Sequence, residues 1–250
     1  MVSVTFRKLP PERIIALTVE SGLKSIEWGG DVHVPPGDLA RAGQIRALCR
    51  QVGLIISAYG SYYRVGLSEK NGASFSSVLK TAEELGTDTI RVWAGNLGSA
   101  DAPPGFRQSV INDLKRICDL AGQAGLTISL EFHGGTLTDT AESTAALIAD
   151  TATPNLTTYW QPSNGMPTDE CLAGLRIVLP HLQNMHIFHW WPDDKHRLAL
   201  SDGVDRWRQY LKLAAESGRT RYVSLEFVRG DDLQQFHEDA KTLHLLLSQF

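Results

Sequence analysis

Cysteine is scarce in this chain. The 250 residues hold three, Cys49, Cys118 and Cys171, an odd number and widely spaced. Neither a disulfide framework nor a paired-cysteine metal site fits that pattern, and reduced thiols are expected. Long apolar runs are also lacking: nothing approaches the ~20 residues that a membrane-crossing helix requires. The opening MVSVTFRKLPPERI lacks the basic-then-apolar layout of a secretory leader, so a cytoplasmic protein is expected. Positive charge is not in excess. With 24 basic against 28 acidic side chains the net charge is −4, which argues against nucleic acid as a partner. There is no phosphate-binding glycine loop, no HExxH and no CxxC, which sets aside three common site chemistries. Linkers and low-complexity segments are missing too. A hydrophobic share of 42% suffices for one large core, so a single domain over residues 1–250 is expected.

What the chain does have is alternation. Short β-branched or aromatic runs occur at Val2–Arg7, Ser25–Trp28, Leu54–Tyr59, Thr89–Trp93, Thr127–His133, Thr157–Gln161, Asn184–His189 and Tyr222–Phe227. Helical spacing of apolar residues fills the intervals, as in Phe75, Val78, Leu79 and Ala82, or Leu233, Phe236, Ala240, Leu243 and Leu247. Asp38, Asp139, Thr168 and Asp231 are candidate helix caps, and Gly22, Gly53, Gly86, Gly125 and Gly218 mark helix ends. Connections after helices are therefore short. Those after strands are long and rich in Gly and Pro. Eight such units in about 250 residues predict a (β/α)8 TIM barrel, with its working face at the C-terminal ends of the strands. An open doubly wound sheet would alternate as well, but eight units fill a barrel without remainder.

Strand residues alternate between barrel interior and helix layer, so the greasier face identifies the outside. Leu130 and Phe132 then point outward, leaving Ser129, Glu131 and His133 inside. By the same rule Ser224 and Glu226 face in while Val223, Leu225 and Phe227 face out. His186, Glu27, Arg91 and Trp93 face in, and the sixth strand stays ambiguous. A carboxylate buried in a barrel costs several kcal/mol unless a cation or hydrogen-bond donors accompany it. Glu131, His186 and Glu226 pointing into one mouth suit a divalent ion such as Mn²⁺, Mg²⁺ or Zn²⁺. Trp28, Trp93, Trp160, Trp190 and Trp191 fall at or just past strand ends, where flat apolar faces could stack on a small-molecule sugar or polyol.

Ile-Glu-Trp-Gly-Gly-Asp at strand two, Leu-Glu-Phe-His-Gly-Gly at strand five, Met-His-Ile-Phe-His at strand seven and Ser-Leu-Glu-Phe at strand eight carry a resemblance. Along its whole length the chain resembles the sugar phosphate isomerase/epimerase family of xylose isomerase-like TIM barrels. The resemblance implies one divalent metal ion (Mn²⁺, Mg²⁺, Co²⁺ or Zn²⁺) held by Glu131, Gln161, His186 and Glu226. Gln161 stands where the family usually carries Asp, and Asn164 where it carries His. An amide oxygen can coordinate but brings no charge, so weaker metal binding is expected. The implied chemistry is isomerase or epimerase proton transfer through an enediolate, with Glu131 and Glu226 as the catalytic pair. Arg197 would hold a substrate oxygen, and Glu27, His33, Tyr59, Arg64, Trp93 and His133 are further candidates for the substrate pocket. Two alternatives stand beside it: a metal-dependent polyol dehydratase, and a non-catalytic sugar-binding barrel with a degenerate metal site. A homo-oligomer is compatible with such barrels, although no helix advertises an interface.

Overall fold

In the computed structural model, which describes residues 1–250, seven parallel strands form the barrel wall. In chain order they are β1 (Ser25–Gly29), β2 (Ile55–Arg64), β3 (Thr89–Trp93), β4 (Thr127–Leu130), β5 (Leu156–Trp160) and β6 (Leu182–Ile187). A small hairpin follows, β7 (His189–Trp190) with β8 (Arg197–Leu198), and β9 (Val223–Leu225) completes the wall beside β6. Eight helices surround it: α1 (Pro11–Glu20), α2 (Leu39–Gln51), α3 (Phe75–Leu85), α4 (Pro104–Gln123), α5 (Ala141–Thr151), α6 (Thr168–Val178), α7 (Val204–Ala215) and α8 (Leu233–Leu247). This is the α/β TIM barrel, one strand short of eight. None of its helices is long and apolar enough to cross a membrane.

The missing strand is the expected first one. Ser3–Phe6 winds into a 3₁₀ helix, so Val2–Arg7 does not run extended. The gap between β9 and β1 is closed by two residues only. Val2 N–H donates to the Leu225 carbonyl (2.8 Å) and Glu27 N–H to the Met1 carbonyl (2.9 Å). Val2 thus bridges Glu27 in parallel pairing before the chain leaves the wall.

Helix ends follow the expected chemistry, with shifts of one residue. Asp38 accepts from Arg41 N–H as anticipated. Thr140 caps α5 in place of Asp139, Asp232 caps α8 in place of Asp231, and Thr168 is already inside α6. Gly22, Gly53, Gly86, Gly125 and Gly218 all adopt positive φ, which spares the Cβ clash that another residue would meet where helices end. The apolar stripe of α8 is buried at Phe236, Ala240, Leu243 and Leu246, while Leu247, expected within it, is exposed. On β5 the two faces separate clearly. Trp160 packs outward, edge-on to Trp207 and Tyr210, and Tyr159 turns inward against His186. All three cysteines are buried and unpaired.

Candidate active site in the barrel mouth

A cavity of about 560 Å³ opens at the C-terminal ends of the strands. Glu131, Gln161, Glu226, Trp93 and His133 line it, together with Tyr62, Arg7 and Phe227. Beneath it, one nitrogen of His186 and one oxygen each of Glu131 and Glu226 lie within 4.8 Å of one another, and all three residues are buried. The inward parity expected for these residues holds. Gln161 joins them, its Oε1 3.3 Å from His186 Nδ1, and Asn164 lines the same cavity.

His186 is wedged between carboxylates. Its Nδ1 lies 3.2 Å from Glu226 Oε2 and its Nε2 3.2 Å from Glu27 Oε2. Burial alone would drive the proton off, but Glu226 and Glu27 outweigh it and raise the imidazole pKa to about 9. Glu27 responds in the opposite sense. Burial pushes its pKa up, yet Arg91 and His186 prevail and hold it at about 2. Glu226 is also lowered: against its burial, the charge and hydrogen bond of His186 keep it ionised.

Arg91, buried on β3, sits inside this acidic group. Its Nε donates to Glu27 Oε1 (2.5 Å) and its Nη1 meets Glu131 Oε2. Gly60 on β2 makes room for the pair. A Cβ there would fall 2.6 Å from Arg91 Nη2 and 3.0 Å from Glu27 Oε1. Trp93 Nε1–H also donates to Glu131 Oε2, so two donors share that oxygen and no protein hydrogen bond uses Oε1.

The donor set fits a divalent cation. Metal–ligand bonds of about 2.0–2.4 Å bring ligand atoms within about 4–5 Å of each other, the spacing found here. Three buried carboxylates, Glu27, Glu131 and Glu226, face one guanidinium, leaving two negative charges for an ion to neutralise once it displaces the His186 proton. Two oxygens and an imidazole nitrogen suit the borderline and hard ions named above.

Several expected pocket residues lie elsewhere. Glu27 is under the floor, bonded to Arg91 and His186 and only 1% exposed. His33 is buried beside Ser3 Oγ and the Leu9 carbonyl, where it ties the N-terminal turn to the barrel. Tyr59 donates its hydroxyl to the Val34 carbonyl and does not line the mouth. Arg197 pairs with Asp231 and borders a neighbouring cavity of about 540 Å³. Trp28 and Trp160 are buried outside the mouth; Trp93 and Trp190 are the tryptophans that line it.

Phe227, expected to face outward, lines the cavity instead, and so does Tyr62, which lies beyond the expected strand end at Tyr59. Both have positive φ (57° at Tyr62 and 50° at Phe227), which reverses the side expected from alternation and brings their rings to the cavity. Sequence offers no signal for such a turn in a non-glycine residue. Arg7 links them, donating to Tyr62 Oη (2.8 Å) and lying 5.5 Å from the Phe227 ring centre.

Residues 15–246 match the family described as xylose isomerase-like TIM barrel. A curated relative, 3-dehydroshikimate dehydratase of Bacillus anthracis, is 36% identical over 152 residues, covering 57% of this chain and 53% of the relative. The chain thus matches about half the length of that relative. Among solved structures, the probable 3-DHS dehydratase AsbF of Bacillus anthracis superposes with a TM-score of 0.81 at 20% identity, over 98% of this chain and 97% of the other. D-psicose 3-epimerase superposes at 0.73 with 17% identity, over 96% and 93%. At such identities the two superpositions establish the fold.

Proposed function

This chain belongs to the xylose isomerase-like TIM barrel family, and from that premise we propose that it is a lyase removing water from a small polyhydroxylated keto compound. The substrate class is a keto acid resembling 3-dehydroshikimate. The observation that carries this reading is the convergence of Glu131, His186 and Glu226 beneath a cavity whose wall contains His133. Sequence likeness to a 3-dehydroshikimate dehydratase supports elimination over simple isomerisation.

Glu131, His186 and Glu226, with Gln161 as a fourth donor, would hold one divalent ion. When bound, such an ion polarises a substrate carbonyl and offsets the negative charge that develops on its oxygen. The remaining steps belong to side chains. Elimination needs a base that takes the proton beside the carbonyl and can return it to the departing hydroxyl. His133 suits that role. Its Nδ1 donates to the Gly134 carbonyl at 2.6 Å, so in the neutral ring Nε2 keeps the free lone pair. The C–H electron pair moves into the carbonyl as the proton leaves, and on its return the β-hydroxyl departs as water. Glu131 and Glu226 keep the substrate's oxygens in register, and the rings of Trp93 and Trp190 offer apolar faces to its carbon skeleton.

Epimerisation is the second reading, and one observation favours it. Glu131 and Glu226 extend from β4 and β9, which are separated by β5 and β6, and so approach the cavity from different sides. That arrangement suits proton removal from one face of a carbon and return on the other. Carboxylates that also hold an ion are weakened as bases, which tilts the balance toward the imidazole. The test is a Mn²⁺-loaded enzyme offered 3-dehydroshikimate and a panel of ketoses. A product lighter by one water, lost in His133→Asn and in Glu226→Gln, is expected. Mass-neutral conversion of a ketose that persists in His133→Asn would replace the lyase reading with the epimerase one.

A further inference from the structure

Arg64, the last residue of β2, is half-buried beside the mouth yet has no carboxylate partner. Its Nη1 donates to the Gly95 carbonyl (3.2 Å), and its guanidinium carbon lies 4.0 Å from the centre of the Trp93 ring. Trp93 is also stacked on His133, with ring centres 4.6 Å apart and planes at 23°. Tyr62 is tilted against the same ring, with centres 5.8 Å apart. The indole is thus held by contacts with a cation, an imidazole and a phenol ring. Arg64 is not among the residues that line the cavity, whereas Trp93 and His133 are.

We propose that Arg64 is a positioning residue for Glu131, acting through Trp93. Rotation of the indole would swing Nε1–H away from Glu131 Oε2. The contacts on the indole oppose that rotation and keep a second donor beside Arg91 on Oε2, so that the carboxylate holds its orientation with Oε1 open to the site. A planar guanidinium is required for the stack, and a lysine ammonium cannot reproduce it. Leaving a half-buried cation without a counter-charge is unfavourable, and burial pushes the Arg64 pKa down accordingly. The inference rests on reading Glu131 as a working group of the site, and it deepens that reading.

The experiment uses the full chain labelled with ¹⁵N-tryptophan and free of added metal. Six tryptophans give six indole N–H resonances, and Trp93 is assigned by its loss in Trp93→Phe. In both Arg64→Leu and Arg64→Lys the Trp93 resonance should move upfield as the bond to Glu131 loosens. Turnover of the keto acid by the Mn²⁺-loaded variants should fall about 10- to 100-fold in kcat. KM should stay within about twofold. A Trp93 resonance unmoved in both variants would overturn the proposal. So would a raised KM with kcat retained, restored in Arg64→Lys, because that pattern marks a direct charge contact with substrate. Absence of any turnover sinks the lyase reading alone, since the resonance measurement stands without activity.

Discussion

Glu27 Oε2 lies 3.2 Å from His186 Nε2, while the other oxygen of the same carboxylate is bonded to Arg91. Glu27 is therefore a support beneath the site. With Nε2–H donated to Glu27, His186 Nδ1 is directed at Glu226 and Gln161, and loss of its proton would turn a lone pair toward an ion held there. Glu27→Gln preserves the shape and removes the charge. Mn²⁺ affinity should drop about 10- to 100-fold by titration calorimetry. Urea denaturation should show a loss of about 3 kcal/mol, because buried Arg91 keeps only Glu131 as a charged partner. Unchanged Mn²⁺ affinity would show that Glu27 does not orient the imidazole.

The pH dependence of the metal-free protein follows from the same pair. The His186 pKa is raised in the fold from its ordinary 6.5 to about 9. Its contribution to stability is complete below about pH 6.5 and disappears as pH climbs through about 9. Glu27 works in reverse. Its pKa is depressed from 4.5 to about 2, so its contribution is present above about pH 4.5 and is lost as pH falls through about 2. A metal ion on Nδ1 must displace the His186 proton. Mn²⁺ affinity should therefore climb with pH, by up to about tenfold per unit, and level off near pH 9. Calorimetry in buffers of different ionisation enthalpy should detect the released proton. Binding heats indifferent to the buffer would contradict this.

Gly60 is a steric requirement of the buried ion pair. It lies on β2, paired with Arg91 on β3 and reached by the Glu27 carboxylate from β1, and a methyl group would sit 2.6 Å from Arg91 Nη2. Both neighbours are pinned, so relief must come from breaking or bending the pair. Gly60→Ala should destabilise the fold by about 1–3 kcal/mol and reduce activity more than the distant Gly53→Ala. Gly53 has open space around it, so strain at its positive φ is the whole effect there. Equal activity losses in the two variants would argue against a role for the pair.

Much of this arrangement was legible in the sequence because strand alternation is a local property. Leu130 and Phe132 flank Glu131, and Val223 and Leu225 flank Ser224, so each strand declares which face is packed by helices. That was enough to bring Glu131, His186 and Glu226 together. Alternation says nothing about depth, which is why Glu27 read as a pocket residue although it lies below the floor. Nor does it foresee left-handed residues. Tyr62 and Phe227 reverse direction at the mouth, whereas Tyr59, three residues earlier, is bonded to the Val34 carbonyl away from it. The first strand failed for a tertiary reason. Val2–Arg7 has strand-like composition, but two backbone bonds already close the barrel and Ser3–Phe6 coils to bury Phe6 against Phe236.

Gln161 is the position where one added charge should be most informative. Its Oε1 faces His186 Nδ1 at 3.3 Å, on the side of the ring where Glu226 also approaches. Three carboxylates and Arg91 already leave a charge that a divalent ion balances. Gln161→Glu adds a further negative charge in nearly the same shape. Without metal the variant should be less stable, since like charges then crowd Glu226. With metal, Coulomb attraction partly offset by desolvation should tighten Mn²⁺ binding by about 1.4–2.7 kcal/mol, a factor of 10 to 100. Thermal melts with and without Mn²⁺ should therefore diverge more widely for the variant than for the parent. If Gln161 merely fills the cavity wall, the added charge would weaken the protein equally with and without the ion, and the two differences would match.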